Sequence, residues 1–309
     1  MNGILTTNLK KIKYIYIILE KINMTKNEIN AMTEDEKIRI LRYYPALIYF
    51  IENPSYRMKT TAITYAPDSI QFIKDASEDL KLMAVKRYGY AIRFIKNPSK
   101  EIQLIAINQN VEYIKLIDNP SEDIQLAAVK LDAFSIEFIK NPSEAVQLAA
   151  VRKEGCAIQY IINPSEVVQL AAVESGVGEA IEFIKNPSET VQLAAVEKHV
   201  LNISCIENPT EAVQLVAVNK YYKMIMNIKN PSEEVQLAAV NYNADAIRYI
   251  ENPTEAVQLV AVNKVPELIM YIKNPSREVK LAAARNNINS IMYIDISDII
   301  DEISSQINV

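Results

Sequence analysis

Histidine is almost absent from this chain, and that absence removes most catalytic chemistry at the outset. His199 is the single histidine, so a metal site with several histidine ligands cannot be assembled, and the one histidine that a Ser-His-Asp type triad would need is expected in a loop. Five glycines in 309 residues leave no Gly-rich loop to cradle a phosphate, and there is no tryptophan. Only two cysteines occur, Cys156 and Cys205. Both replace small or apolar residues of a repeat, so they read as reduced core thiols, as in a cytoplasmic-type compartment. Long apolar runs are missing too. Tyr14–Leu19 is far short of the roughly 18 residues a membrane span needs. Lys10, Lys11 and Lys13 precede that run, but no small-residue cleavage site follows and Glu20-Lys21 ends it, so a capping helix is expected rather than a signal peptide. The composition predicts a protein that is not an enzyme, needs no cofactor and no metal, and stays off the membrane.

What the chain does have is repetition. Asn-Pro recurs at 53, 97, 119, 141, 163, 186, 208, 230, 252 and 274, mostly 22 residues apart, with Asp75-Ala76 filling the one gap. Each unit reads as two helices, which is an αα-hairpin. In Asn141-Pro142-Ser143-Glu144, Asn reads as the N-cap, Pro as the first helical residue, and Glu as the partner that reaches back to the Asn amide in a capping box. The following Val-Gln-Leu-Ala-Ala-Val is apolar nearly all round and suits a helix sandwiched between neighbours. Its glutamine, from Gln103 to Gln258, predicts a ladder in which each amide bonds the neighbouring repeat's backbone. A second, shorter helix carries an isoleucine at Ile92, Ile114, Ile136 and so on to Ile291. An aromatic row at Phe94, Phe138, Tyr160, Phe183, Tyr249, Tyr271 and Tyr293 is expected in the core. One hairpin cannot bury its faces alone, so the units must stack. The expected fold is an all-α solenoid of about twelve 22-residue repeats, a curved rod on the order of 100 Å long with a right-handed superhelix. Residues 1–32 form an N-terminal cap with an amphipathic helix near 7–23, residues 33–297 carry the repeats as one elongated domain, and residues 298–309 form an acidic C-terminal cap. The extra residue in Glu174–Glu179, with Gly176 and Gly178, predicts a loosened turn.

The net charge of −5 is unevenly spread. Residues 1–119 hold 18 Lys and Arg against 13 Asp and Glu, and residues 120–309 hold 15 against 25. The adjacent carboxylates Glu78-Asp79 and Glu122-Asp123 fall at helix N-termini, where they complement the helix dipole rather than form acid–base pairs. Function is expected where the repeat varies, in the inter-helix turn and on the outer face of the second helix. In the basic part the candidate partner-binding residues are Lys86, Arg87, Tyr88, Tyr90, Arg93 and Lys115. A second cluster is Tyr221, Tyr222, Lys223 and Tyr242, with Met224 beside them and Arg248 in the next unit. Mixed cations and tyrosines serve a protein hot spot or stack on nucleic acid.

The Asn-Pro-Ser-Glu-x-Val-Gln-Leu-Ala-Ala-Val unit resembles short HEAT-like helical repeats, above all the leucine-rich-repeat-variant type, and the repeats found in bacterial, phage and giant-virus proteins. The resemblance spans about residues 33–297. It implies a cytoplasmic binding scaffold that holds a protein partner along the solenoid groove, with two alternatives. One is a phage or mobile-element inhibitor of a host defence complex, of the anti-CRISPR kind. The other is nucleic-acid binding through residues 1–119. Self-assembly through the end units is a further expectation.

Overall fold

The computed structural model describes residues 15–176, 180–297, 299 and 300; the first part of the expected N-terminal cap, Val177–Glu179 and most of the C-terminal cap lie outside the described residues. The chain is an all-α solenoid of about twelve helix hairpins. It divides into two compact units, residues 1–150 and 151–309, and the division falls within the helix Glu144–Lys153.

Most repeats pair a ten-residue α-helix, such as Glu122–Leu131 or Glu189–Lys198, with a six-residue 3-10 helix, such as Ala133–Phe138 or Val200–Cys205. Sequence periodicity predicts the second helix but not its tighter winding. In these short helices i→i+3 bonds such as Ile161 N–H to the Ile158 carbonyl (3.0 Å) close the turn. Asn or Asp starts several of these short helices by accepting the amide two residues on, as Asn110 does from Glu112 (3.0 Å) and Asp132 from Phe134 (2.9 Å).

The helix start differs from the expectation in a consistent way. Asn does not cap the α-helix. It sits in the left-handed region, with φ of +47° to +51° at Asn97, Asn119, Asn141, Asn163, Asn186, Asn230 and Asn274, and Asp75 takes the same conformation. Asn and Asp are the L-residues that best tolerate that region, which explains the substitution at 75. The N-cap is the residue after Pro. Ser165 accepts from Val168 N–H and Ser188 from Val191 N–H, both at 3.4 Å. Glu is therefore the first helical residue and cannot close a capping box. Capping boxes occur only at Thr25/Glu28 and Thr33/Glu36 among the described helices, where Glu falls at the third position.

That shift frees the repeat's Glu to bond forward. The Ser188 hydroxyl donates to Glu166 of the preceding repeat (2.5 Å), and Ser143 donates to Glu122, Ser232 to Glu211 and Ser276 to Glu255. The glutamines turn out to serve mostly their own repeat. Each Nε2 donates to the Pro carbonyl five residues earlier, from Gln103 to Pro98 (2.8 Å) through Gln258 to Pro253 (2.9 Å). Gln192 and Gln236 also reach the next repeat, accepting from Thr210 N–H (3.1 Å) and Thr254 N–H (3.3 Å).

The core is a column of small and branched side chains. Val168, Ala172 and Val173 of one α-helix are buried, as are Ile158 of the adjoining 3-10 helix and Ile161 just beyond its end. The isoleucine row is buried as the periodicity predicts, apart from half-buried Ile291. Gly155 marks a tight approach within the second unit: a Cβ there would stand 2.5 Å from the Ala172 carbonyl oxygen.

Candidate functional site

The aromatic row is not core. Tyr160, Phe183, Tyr271 and Tyr293 are exposed and Phe94, Phe138 and Tyr249 are half-buried. They occupy the last position of each 3-10 helix, one residue beyond the turn that the buried isoleucine anchors, so their rings lie over the core's edge. Cys205 takes the same position in its repeat and is half-buried, as is Cys156.

In the first unit the α-helix Glu78–Arg87 ends in Lys86 and Arg87, both exposed, and the 3-10 helix Gly89–Phe94 follows. Tyr88 is 48% exposed. Its ring lies 5.7 Å from that of Tyr90, which lies 5.9 Å edge-on from Tyr113 of the next repeat. The Arg93 guanidinium stands 4.8 Å over the Tyr90 ring and 5.2 Å from that of Phe94, and donates to the Tyr90 hydroxyl. Tyr88, Tyr90 and Arg93 thus form one surface with Tyr113, a residue that sequence reading missed. Gln109 fixes its base: it accepts from Gly89 N–H (2.7 Å) and donates to the Val85 carbonyl (2.7 Å), tying two repeats together beneath the tyrosines. Lys115 belongs elsewhere, 4.8 Å over Phe138 and paired with Glu112 at 2.7 Å.

In the second unit Tyr221, Tyr222 and Tyr242 are brought together. Tyr221 meets Tyr222 edge-on at 5.7 Å, and Tyr222 stacks on Tyr242 at 6.2 Å. The Lys223 ammonium is held above the usual lysine range, chiefly by Tyr221 and then by Tyr249 and Tyr222. Arg248 instead stands 4.2 Å over Tyr271 and 3.8 Å from Asp245.

The carboxylate pairs have cross-repeat partners. Asp79 accepts from the Tyr56 hydroxyl (2.7 Å), and Asp123 pairs with Lys100 (2.6 Å) and is held below the usual carboxylate range by that bond and charge. His199 is the exposed residue that ends the helix Glu189–Lys198. Among the described residues no three His, Cys, Asp or Glu side chains stand close enough to hold a metal ion, and no helix is long and apolar enough to cross a membrane. Two open notches recur between successive Asn-Pro junctions, one of about 940 Å³ bordered by Tyr49, Gln71 and Lys74, the other of about 550 Å³ bordered by Glu182, Gln192 and Glu207.

No protein-family model, no curated protein and no solved structure matches this chain. The surfaces themselves carry the functional argument.

Proposed function

We propose that this protein is a non-enzymatic scaffold that binds a protein partner, and that the Tyr88–Tyr90–Tyr113 surface with Arg93, Lys86 and Arg87 is the principal contact. The observation that carries this reading is the exposure of Tyr88 in a tyrosine cluster whose backbone is fixed by Gln109 and whose cation lies against a ring. Tyrosine and arginine are the residues that most often dominate protein interfaces, because they present large rigid area with little conformational freedom to lose. A partner bearing carboxylates suits Lys86, Arg87 and Arg93, which would raise its on-rate. Affinity capture from the source cell with the wild-type chain and a Tyr88→Ala/Tyr90→Ala/Arg93→Ala variant tests this. A nuclease-resistant protein recovered by the wild type and lost with the variant supports it. Equal recovery by both sinks this surface.

The same tyrosines and cations lie in the basic residues 1–119, which favours nucleic acid as a second reading. It requires binding that falls steeply with salt, because phosphate contacts release counterions.

A further inference from the structure

The second unit repeats every 44 residues as well as every 22. Residues 207–220 and 251–264 are identical, Glu-Asn-Pro-Thr-Glu-Ala-Val-Gln-Leu-Val-Ala-Val-Asn-Lys, while the units starting at Lys185, Lys229 and Lys273 carry Lys-Asn-Pro-Ser. The backbone follows the alternation. Asn186, Asn230 and Asn274 are left-handed, whereas Asn208 and Asn252 are not, and the amides of Thr210 and Thr254 donate to a glutamine of the preceding repeat.

From Asn186 to Asn274 the residue before each Asn-Pro alternates in charge, Lys185, Glu207, Lys229, Glu251 and Lys273, and Asp295 continues the alternation one repeat further on, where Ile296 replaces the Asn. All six are exposed, and they occupy equivalent places just beyond 3-10 helices that pack one against the next from Ala180 to Tyr293. Five of the six charges are not consumed within the chain. None of the five from Lys185 to Lys273 forms an ion pair with a described residue, whereas Asp295 is hydrogen-bonded by the Ser297 amide (2.9 Å) and hydroxyl and lies in the field of Lys280. Beside this row the 3-10 helices expose Met226, Met270 and Met292 at 49–74%, with Tyr271 and Tyr293. Methionine makes an adaptable apolar contact surface.

We propose that this row is an interface between two copies of the chain, packed antiparallel about a twofold axis between Lys229 and Glu251. Six charges of strictly alternating sign are self-complementary in that arrangement. Lys185 meets Asp295 of the second copy, Glu207 meets Lys273, and Lys229 meets Glu251, each pair occurring twice. A parallel, in-register pairing would place like charges together at every step. A pairing offset by one repeat would satisfy the charges but leave an open end and build fibres, whereas the twofold arrangement closes. The methionines and tyrosines supply the apolar area, and the charges set register and orientation. This inference is independent of the tyrosine surface of the first unit.

The test is sedimentation of the full chain over a range of concentrations at low and high salt, with K229E, E251K and the K229E/E251K double variant. The wild type should dimerise and weaken with salt. Each single variant should raise the dimer dissociation constant by about tenfold or more, because one reversal places two pairs of like charges across the axis. The double variant should return to near the wild-type constant. It restores every pair in the antiparallel arrangement but leaves two like-charge contacts in an offset one, so rescue reports the geometry. Zero-length carbodiimide coupling should join Lys229 of one copy to Glu251 of another, read by mass spectrometry of mixed isotopically labelled chains. A monomer at every concentration, a dimer indifferent to the single variants, or a double variant no better than the singles would each overturn the proposal.

Discussion

A single asparagine per repeat sets the path of the chain. Left-handed backbone costs an ordinary L-residue roughly 1–2 kcal/mol, and Asn less, because its short polar side chain bonds locally. The Asn163→Ala variant should therefore lose about 1 kcal/mol in chemical denaturation, while Asn163→Gly should be close to neutral. At Asn208, whose φ lies outside that region, glycine brings no such relief and should destabilise by roughly 0.5–1 kcal/mol through backbone entropy. Identical responses at 163 and 208 would mean that the two kinds of junction are not distinct.

Between elements, the repeat is held by side chains that reach along the stack. Ser N-caps donate to the previous repeat's Glu, so one hydroxyl serves its own helix start and its neighbour's at once. The glutamines show why the same residue can matter unequally. Gln192 is 6% exposed and makes two bonds, to the Pro187 carbonyl and from Thr210 N–H, whereas the buried Gln258 side-chain oxygen has no protein partner. Gln192→Ala should cost about 2 kcal/mol and Gln258→Ala about 1, since each net hydrogen bond contributes about 1 kcal/mol. Equal midpoint shifts in a denaturant titration would contradict the role given to the Gln192–Thr210 bond. The 3-10 helices matter in a different way: their tight winding places a buried isoleucine and a surface aromatic within three residues, which is how one short element serves both core and face.

At the scale of the whole molecule, stability in a stack of repeats is a sum of units and of contacts between neighbours, so ends need sealing. In the second unit Ile299 provides this: it is buried with Leu281 and Ala284, and Ile291, Ile294 and Ile296 pack around them. Ile299→Ala should lower amide-exchange protection across Arg277–Tyr293 by about 2 kcal/mol or more, the cost of emptying a buried Ile site, and leave protection in the first unit unchanged. Uniform loss across the chain would show that the end repeat is not an independent unit of opening.

The 22-residue recurrence of Asn-Pro and the buried isoleucine row determine the all-α hairpin solenoid from sequence alone, because period and apolar spacing are properties of the chain before it folds. Sequence also placed Tyr88, Tyr90 and Arg93 together, being within six consecutive residues, and Tyr221 with Tyr222. Tertiary structure decided the rest. Whether Asn or Ser caps the helix depends on a backbone angle that both residues can adopt. Whether Phe183 or Tyr271 is core or surface depends on the winding of a helix too short to show a period. That Tyr113 completes the Tyr90 surface, that Arg248 turns to Tyr271, and that Gln192 bonds a repeat that Gln258 does not, are contacts between residues many positions apart, fixed only once one repeat is stacked on the next.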